Sequence, residues 1–208
     1  MTIPETSSQM LFQTLLPRLL QQAPGIALEL RNLDEYSSIG LQEGRLDLLL
    51  LPGDLEYMVA KIPGLYRKAV YQEQIICLVR QGHPCLSADW SLAAYLKERH
   101  VNVGPLHGSP AIVEEQLARM GLKRDVAVAV EDFHSATSLC EMTDLVFTST
   151  ESWARHVTEK YAVEVLPLPL AFSPLEYGLY WHKRKHHDKG HQWLREQVLD
   201  AASLLKKE

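Results

Sequence analysis

The first strong pattern in the chain is helical. Between residues 11 and 20, leucines recur on one helical face, at Leu11, Leu15, Leu16, Leu19 and Leu20. The hydroxyls of Thr6, Ser7 and Ser8 precede this face and are suited to cap the helix. Pro17 lies inside the pattern, so we expect it to kink or reset the first turns.

Strand patterns alternate with helical ones in the rest of the first third. Residues 26–30 alternate apolar and polar positions, and a short helix is predicted from Asp34 to Gln42, with Gly44 suited to its end. The unbroken run Leu48 to Leu51 is typical of a parallel, central strand covered on both faces. With a short first strand at 2–5, the order is β-α-β-α-β.

The alternation continues to the C-terminus and predicts an α/β fold in two lobes. We expect strands at 69–71, 74–80, 100–103, 126–130, 145–148, 163–166 and 177–181. We expect helices at 92–96, 112–120, 133–140, 151–160 and 194–205. On their own, the last strand and helix would leave an apolar face exposed. We therefore infer that the chain returns to the first lobe at its C-terminus.

Composition narrows the class of protein. The 208 residues are 46% hydrophobic and 23% charged with a net charge of -5, which is typical of a soluble globular chain and excludes disordered, collagen-like and coiled-coil classes. Without a basic excess, the chain is not expected to bind nucleic acid by itself. Three cysteines without a CxxC pair, no secretory signal and no membrane span favour a cytoplasmic protein.

Candidate chemistry is sparse. The common hydrolase, nucleotide-binding and metalloprotease motifs are missing, so we expect no enzyme activity and no cofactor. Histidines at 182, 186, 187 and 191 have metal-ligand spacings, but Lys183, Arg184, Lys185 and Lys189 would repel a cation. We therefore interpret this segment as a solvated charged turn and expect no metal. Cys77 lies in a buried-looking strand and is predicted to be a core residue.

Seven short motifs follow one another in a fixed order along the chain. They are Leu15-Leu16-Pro17-Arg18-Leu19-Leu20, Pro24-Gly25-Ile26, Leu41-Gln42-Glu43-Gly44-Arg45-Leu46-Asp47, Gln81-Gly82-His83-Pro84, Gly104-Pro105-Leu106-His107-Gly108, Trp181-His182 and Trp193-Leu194-Arg195. Their order and spacing resemble the effector-binding domain of LysR-type transcriptional regulators. The resemblance covers nearly the whole chain and is strongest for the branch that holds the nodulation and aromatic-catabolism regulators.

The resemblance implies two Rossmann-like lobes of the periplasmic-binding-protein type II kind with a small-molecule cleft between them. Lobe I would comprise 1–79 and 171–208, and lobe II 80–170, with crossing strands near 76–80 and 166–170. In the family, a winged helix-turn-helix precedes this domain, and we expect it to be absent from this chain. Pro4 and Glu5 depart from the apolar first strand of the family.

Ligands of open α/β sheets bind beyond the carboxyl ends of the parallel strands. By this rule and by the resemblance, we expect an effector to contact Ser7, Ser8, Pro52, Gly53, His107, Gly108, Asp132, Phe133, His134, Thr148 and Ser149. Ser8 matches a family position whose hydroxyl contacts the effector. His107 matches a family position where a histidine faces an aromatic acid. The alternatives are that Ser8 is a plain helix cap and that His107 is a loop histidine bonded to backbone carbonyls.

Asp132 does not fit a site for an aromatic acid, because its negative charge would repel an anionic effector. It favours a neutral, cationic or polyhydroxylated ligand, unless the side chain only caps the following helix.

The function that follows is an effector-sensing and oligomerisation domain of a LysR-type regulator, a homodimer or homotetramer. Helices at 11–22 and 114–120 are candidates for the dimer contact. DNA would be bound through the missing N-terminal domain. A free-standing solute-binding protein and a small hydrolase using His107 are the alternatives.

Overall fold

The chain folds into alternating helices and strands that form two units. The computed structural model describes residues 1–34, 36–104 and 112–205, with only the backbone at Leu205. Unit 1 comprises Met1–Gln72 and Leu175–Glu208, and unit 2 comprises Glu73–Pro174. The chain thus changes unit after residues 72 and 174, whereas the lobe boundaries expected from the sequence follow residues 79 and 170.

Seven helices and eight strands are formed by the described residues. The helices are α1 Glu5–Gln22, α2 Ser37–Glu43, α3 Leu92–Lys97, α4 Ile112–Arg119, α5 Phe133–Met142, α6 Glu151–Val157 and α7 Lys189–Leu205. The strands are β1 Leu49–Pro52, β2 Leu65–Glu73, β3 Ile75–Arg80, β4 Arg99–Val103, β5 Asp125–Val130, β6 Leu145–Thr150, β7 Val163–Pro167 and β8 Leu175–His182. Short 3-10 helices cover Gly53–Met58, Pro84–Ser87 and Lys183–Lys185.

Unit 1 contains a three-stranded sheet in the order β1-β8-β2. Every residue of β1 is buried, as the leucine run predicts, and β1 lies between β8 and a parallel bridge from Thr2 to Leu49. The expectation of purely parallel neighbours was wrong, because β8 pairs with β1 antiparallel. The C-terminal segment therefore supplies the middle strand of this sheet.

Helices α1 and α7 pack together in unit 1. The side chains of Leu11, Leu15 and Leu19 on α1 are fully buried, in agreement with the predicted apolar face. The expected cap was wrong: α1 begins at Glu5 after Pro4, so Thr6, Ser7 and Ser8 lie inside its first two turns. The helix also continues through Pro17 rather than restarting there.

A strand predicted at residues 26–30 is not formed. Only Arg31 joins the sheet, through a parallel bridge to Thr2. Alternation of apolar residues supplies a face for burial, but a strand also needs a neighbour along its length to satisfy its backbone groups. In unit 1, Thr2 pairs with this segment at a single residue, Arg31.

Unit 2 contains a five-stranded sheet in the order β5-β4-β6-β3-β7. Strand β4 is parallel to β5 and β6, while β3 is antiparallel to β6 and β7. One face of the sheet packs around Phe147 and Trp153, and the other around Tyr95 and Cys77, which confirms Cys77 as a core residue. The carboxyl ends of β4, β5 and β6 consequently meet at one edge of the sheet.

Within the described ranges, the helices are all too short or too polar to cross a bilayer.

Candidate functional site

Several of the predicted site residues lie at the edge of unit 2 where β4, β5 and β6 end. Asp132 precedes α5, Phe133 and His134 are the first residues of α5, and Thr148 and Ser149 occupy the last half of β6. This edge is the place where open α/β sheets bind ligands, because loops and helix N-termini converge there.

Asp132 caps helix α5. Its carboxylate accepts hydrogen bonds from the backbone N–H of Ser135 at 2.7 Å and from the Ser135 hydroxyl at 2.7 Å. These two bonds, the backbone one first, hold the pKa of Asp132 below its usual value. The capping alternative for Asp132 is therefore confirmed by its contacts, and both carboxylate oxygens are engaged within the chain.

Phe133 and His134 take part in packing as well. The Phe133 ring lies 5.6 Å from Phe147 and 5.4 Å from Trp153, measured between ring centroids. The His134 ring meets Trp153 edge-on at 4.8 Å, and its Nδ1 lies 3.4 Å from the hydroxyl of Tyr161. These contacts give both rings a structural role beside any role in ligand binding.

A buried arginine behind this edge was not anticipated. The side chain of Arg124 is 2% exposed and its Nε donates to Glu114 Oε1 at 2.6 Å. Its Nη2 lies 2.5 Å from the same Glu114 oxygen and donates to Asn102 Oδ1 at 2.9 Å. Its Nη1 donates to the hydroxyls of Thr148 at 3.1 Å and Tyr95 at 3.3 Å.

Four hydrogen bonds and the ion pair with Glu114 thus place acceptors along all three nitrogens of the guanidinium. Arg124 therefore joins α3, α4, β4 and β6 through one side chain, and it orients two polar groups of the edge. Since Asn102 Oδ1 accepts from Arg124, the amide N–H₂ of Asn102 is turned away from the guanidinium. In the sequence, Arg124 stands in the polar stretch between α4 and β5, where nothing distinguishes it from a solvent-exposed residue.

Ser149 differs from the residues above in its hydrogen bonding. It is 4% exposed, and its hydroxyl has no hydrogen-bond partner among the described residues. Burying a hydroxyl without a partner costs free energy, so such a group is a candidate for contact with a ligand or a bound water.

In unit 1, the predicted residues lie at the start of α1 and the end of β1. Ser7 is fully buried and accepts a hydrogen bond from the Tyr71 hydroxyl at 2.6 Å. Ser8 is half-buried and donates to the backbone carbonyl of Glu5 at 2.8 Å. Pro52 is buried and Gly53 is exposed. His107 and Gly108 lie outside the described residues.

The turn at 182–188 is exposed or half-buried, as expected of a solvated charged turn, but the last histidine of the segment is not. His191 is 6% exposed and Arg195 is 8% exposed, so these two side chains are buried within unit 1. Among residues 1–34, 36–104 and 112–205, no group of three or more His, Cys, Asp or Glu side chains is placed to hold a metal ion.

Open-sheet units with polar side chains gathered where parallel strands end are typical of α/β domains that bind small molecules. Comparison with known proteins makes the class specific: the chain belongs to the LysR substrate binding domain family, whose model matches residues 1–203. The LysR resemblance seen in the motifs is thereby confirmed, and the fold is that of the type II periplasmic-binding proteins.

The relatives are transcriptional regulators. The chain is 30% identical over 207 residues to the HTH-type transcriptional regulator SyrM of Rhizobium meliloti strain 1021, covering 98% of this chain and 61% of the relative. It is 28% identical to the HTH-type transcriptional activator NahR of Pseudomonas putida, covering 89% of this chain and 62% of that protein. The chain thus spans about three fifths of the length of these relatives.

Among solved structures, the probable transcriptional regulator PA0477 from Pseudomonas aeruginosa is 28% identical. It matches with a TM-score of 0.83 over 95% of this chain and 64% of its own.

Proposed function

We propose that this chain is the effector-sensing and oligomerisation domain of a LysR-type transcriptional regulator that acts in the cytoplasm. The observation that carries the proposal is the family match over residues 1–203 together with relatives that are themselves transcriptional regulators. A small molecule would bind and change the activity of the full-length protein, without a catalytic step or a cofactor. Contact with DNA would come from a separate DNA-binding domain.

The polar groups at the strand ends support effector binding. At the edge of unit 2, Asn102 offers an amide N–H₂, and Ser149 offers a hydroxyl that lacks a partner among the described residues. In unit 1, the half-buried hydroxyl of Ser8 lies in the second turn of α1. Since Asp132 is engaged as a helix cap, its charge is a weaker argument against an anionic effector than the sequence suggested.

Two surfaces support oligomerisation. Helix α1 exposes Leu16 and Leu20, at 37% and 51%, beside its fully buried face. Strand β5 is an edge strand of unit 2, and its five residues from Val126 to Val130 are all half-buried. Exposed apolar helices and unpaired strand edges favour association, so we expect a homodimer or homotetramer.

Effector binding is tested by a thermal-shift screen of aromatic acids, amino acids and flavonoid-like compounds. A ligand at about 100 times its Kd would stabilise the chain by about 2.7 kcal/mol. Ser149→Ala and Ser8→Ala are expected to weaken the response. Ser203→Ala is the matched control, because its hydroxyl also donates to a carbonyl three residues earlier on an exposed helix face. A screen without any stabilising compound would contradict the proposal.

Oligomerisation is tested by sedimentation velocity. We expect the chain to sediment as a dimer or tetramer and Leu16→Glu with Leu20→Glu to sediment as a monomer. A wild-type monomer at tens of micromolar concentration would contradict this part of the proposal.

A further inference from the structure

The segment that joins β8 to α7 is organised around Arg195. We call residues 181–195 the Arg195 junction. Arg195 donates from Nη1 to the carbonyl of Lys185 at 3.3 Å and from Nη2 to the carbonyl of His186 at 3.0 Å. Its guanidinium carbon lies 4.5 Å from the ring centroid of Trp181, a cation–π contact. Arg195 therefore ties the turn at 183–186 to helix α7 and strand β8.

His191 supports Arg195 only when its imidazole is neutral. Its Nδ1 lies 2.5 Å from Arg195 Nη1, and its Nε2 lies 3.1 Å from the backbone carbonyl of Asp47. A guanidinium only donates and a carbonyl only accepts. The proton of His191 must therefore be on Nε2, while Nδ1 keeps a lone pair for Arg195.

Two further histidines of the junction use Nδ1 in the same way. His186 Nδ1 accepts from the indole N–H of Trp181 at 3.2 Å, and the ring stacks on Tyr66 at 3.9 Å between centroids. His182 Nδ1 accepts from Arg184 Nε at 2.9 Å. A proton on any of these Nδ1 atoms would replace an acceptor by a donor that faces another donor.

The charges around His191 are mostly positive. Helix α7 contributes Arg195, the residue before this helix contributes the carboxylate of Asp188, and strand β2 contributes the ring of Tyr66 through His186. Asp47, two residues before β1, is a second anion, and its carboxylate lies 3.8 Å from the Lys185 ammonium. The turn itself carries the cations Lys183, Arg184 and Lys185 together with the imidazole of His187.

Burial has the largest effect on His191 and lowers its pKa, and Arg195 and Lys185 lower it further. The Asp47 carbonyl and carboxylate act in the opposite direction. The neutral ring that the hydrogen bonds require is thus also the form that the surroundings favour near neutral pH.

We propose that the Arg195 junction is an acid-sensitive device: protonation of His191 at Nδ1 displaces Arg195 and releases the turn at 183–186 from α7. The reason is the pairing of two donors, since a protonated Nδ1 would point its N–H at the Nη1 of a cation 2.5 Å away. Once Arg195 moves, the carbonyls of Lys185 and His186 lose their shared donor. This response to acid does not depend on an effector and goes beyond the proposed function.

Hydrogen exchange measured by mass spectrometry tests the proposal on the whole chain. Peptides that cover 183–192 report amides bonded within the turn, such as His186 to the Lys183 carbonyl and Gln192 to the Asp188 carbonyl. After correction for the intrinsic effect of pH, we expect protection there to fall several-fold between pH 7.5 and 5.5, because the released junction binds a proton on His191 that the closed junction disfavours. Peptides from α5 should keep their protection.

Two variants separate His191 from its neighbours. His191→Gln keeps a neutral donor for the Asp47 carbonyl and removes the titration, so the change in protection between the two pH values should disappear. His187→Gln is the matched control, because His187 is exposed and its described ring contact is with His186. This variant should respond to acid as the wild type does.

A proton NMR titration of the wild-type histidines keeps the test decisive if His191→Gln does not fold. Protection in 183–192 should begin to fall at a higher pH than the midpoint for His191 in the folded chain, because the released junction takes up the proton first. The proposal is wrong if protection in these peptides is unchanged at pH 5.5, or if His191 of the folded chain titrates no lower than a free histidine, at about pH 6.5.

Discussion

Each unit of this chain buries one arginine among its described residues, and the two cations are compensated in opposite ways. Arg124 in unit 2 meets the carboxylate of Glu114 and three neutral acceptors. Arg195 in unit 1 meets two carbonyls, an aromatic ring and the lone pair of His191. No carboxylate of the described residues forms an ion pair with it.

The difference decides which change in conditions each site tolerates. A buried cation costs several kcal/mol unless its surroundings compensate it. The carboxylate of Glu114 provides Arg124 with a full opposite charge. A neutral imidazole provides only an acceptor, and it loses that role when it is protonated nearer to neutral pH.

The largest effect is expected where the ion pair is broken. Arg124→Met leaves Glu114 without its cation and takes the donor from Asn102, Thr148 and Tyr95. We expect a loss of about 3 kcal/mol of stability, the lower end for a broken buried pair because Glu114 is 29% exposed. Urea denaturation followed by tryptophan fluorescence, to which the buried Trp153 of unit 2 contributes, measures this loss.

The double variant Arg124→Met with Glu114→Gln is its control. Removing both charges should recover part of the loss, since the penalty for an unpaired carboxylate disappears. A single-variant loss below about 1 kcal/mol would show that the pair is not a main support of unit 2.

The next effect concerns the acid response of unit 2 itself. His100 is fully buried, and burial followed by the charge of Arg124 lowers its pKa to about 4. The folded state thus binds fewer protons than the unfolded state below pH 6.5. The stability that depends on neutral His100 is complete above pH 6.5 and is lost as the pH falls through about 4, a change of about 3 kcal/mol.

His100→Gln should flatten this slope. The free energy of unfolding is measured at several pH values between 7 and 4.5, by urea denaturation followed by tryptophan fluorescence. An equal slope in the variant and the wild type would rule out His100 as the titrating group.

A smaller loss is expected at the second arginine. Arg195→Met removes donors from the carbonyls of Lys185 and His186, which are half-buried and can bind water instead. We expect a loss of about 1 to 2 kcal/mol at pH 7.5, measured by urea denaturation. Arg195→Lys should recover little, because an ammonium cannot reproduce the guanidinium geometry. A loss of stability as large as that of Arg124→Met would contradict the difference that we infer between the two buried arginines.

The smallest effect is expected from the anion beside the junction. Asp47→Asn keeps the backbone carbonyl that accepts from His191 and removes the exposed pair with Lys185, for a loss of about 0.3 kcal/mol. Because the Asp47 carboxylate raises the pKa of His191, the variant should titrate at lower pH. NMR titration of His191 measures this shift, and a shift to higher pH would contradict the assigned role of Asp47.

Elements with a local cause were predicted from the sequence. Helix α5 follows an aspartate that caps it, and Val126, Val128 and Val130 alternate along β5 as expected. Gly44 ends α2 with a φ of 82°, a conformation that other residues rarely adopt. The ordered motifs led to the LysR family because they extend over most of the chain.

Features that depend on distant neighbours were missed. The start of α1 at Glu5 and the lack of a strand at 26–30 depend on which segments lie beside Thr2, and periodicity says nothing about that. Arg124 bonds to residues 10 to 29 positions away. The burial of His191 was missed because its positive neighbours in sequence concealed its contact with Asp47, 144 residues earlier.

The sequence by itself determined the order of helices and strands from α2 onward, the leucine core of α1 and β1, and membership of the LysR family. Each of these follows from short-range periodicity, from turn residues, or from motifs in order. The tertiary structure decided which charges are buried and what compensates them. Arg124 and Arg195 are alike as residues in a sequence, but the cost of burying a cation depends on partners that only the fold brings within hydrogen-bond distance.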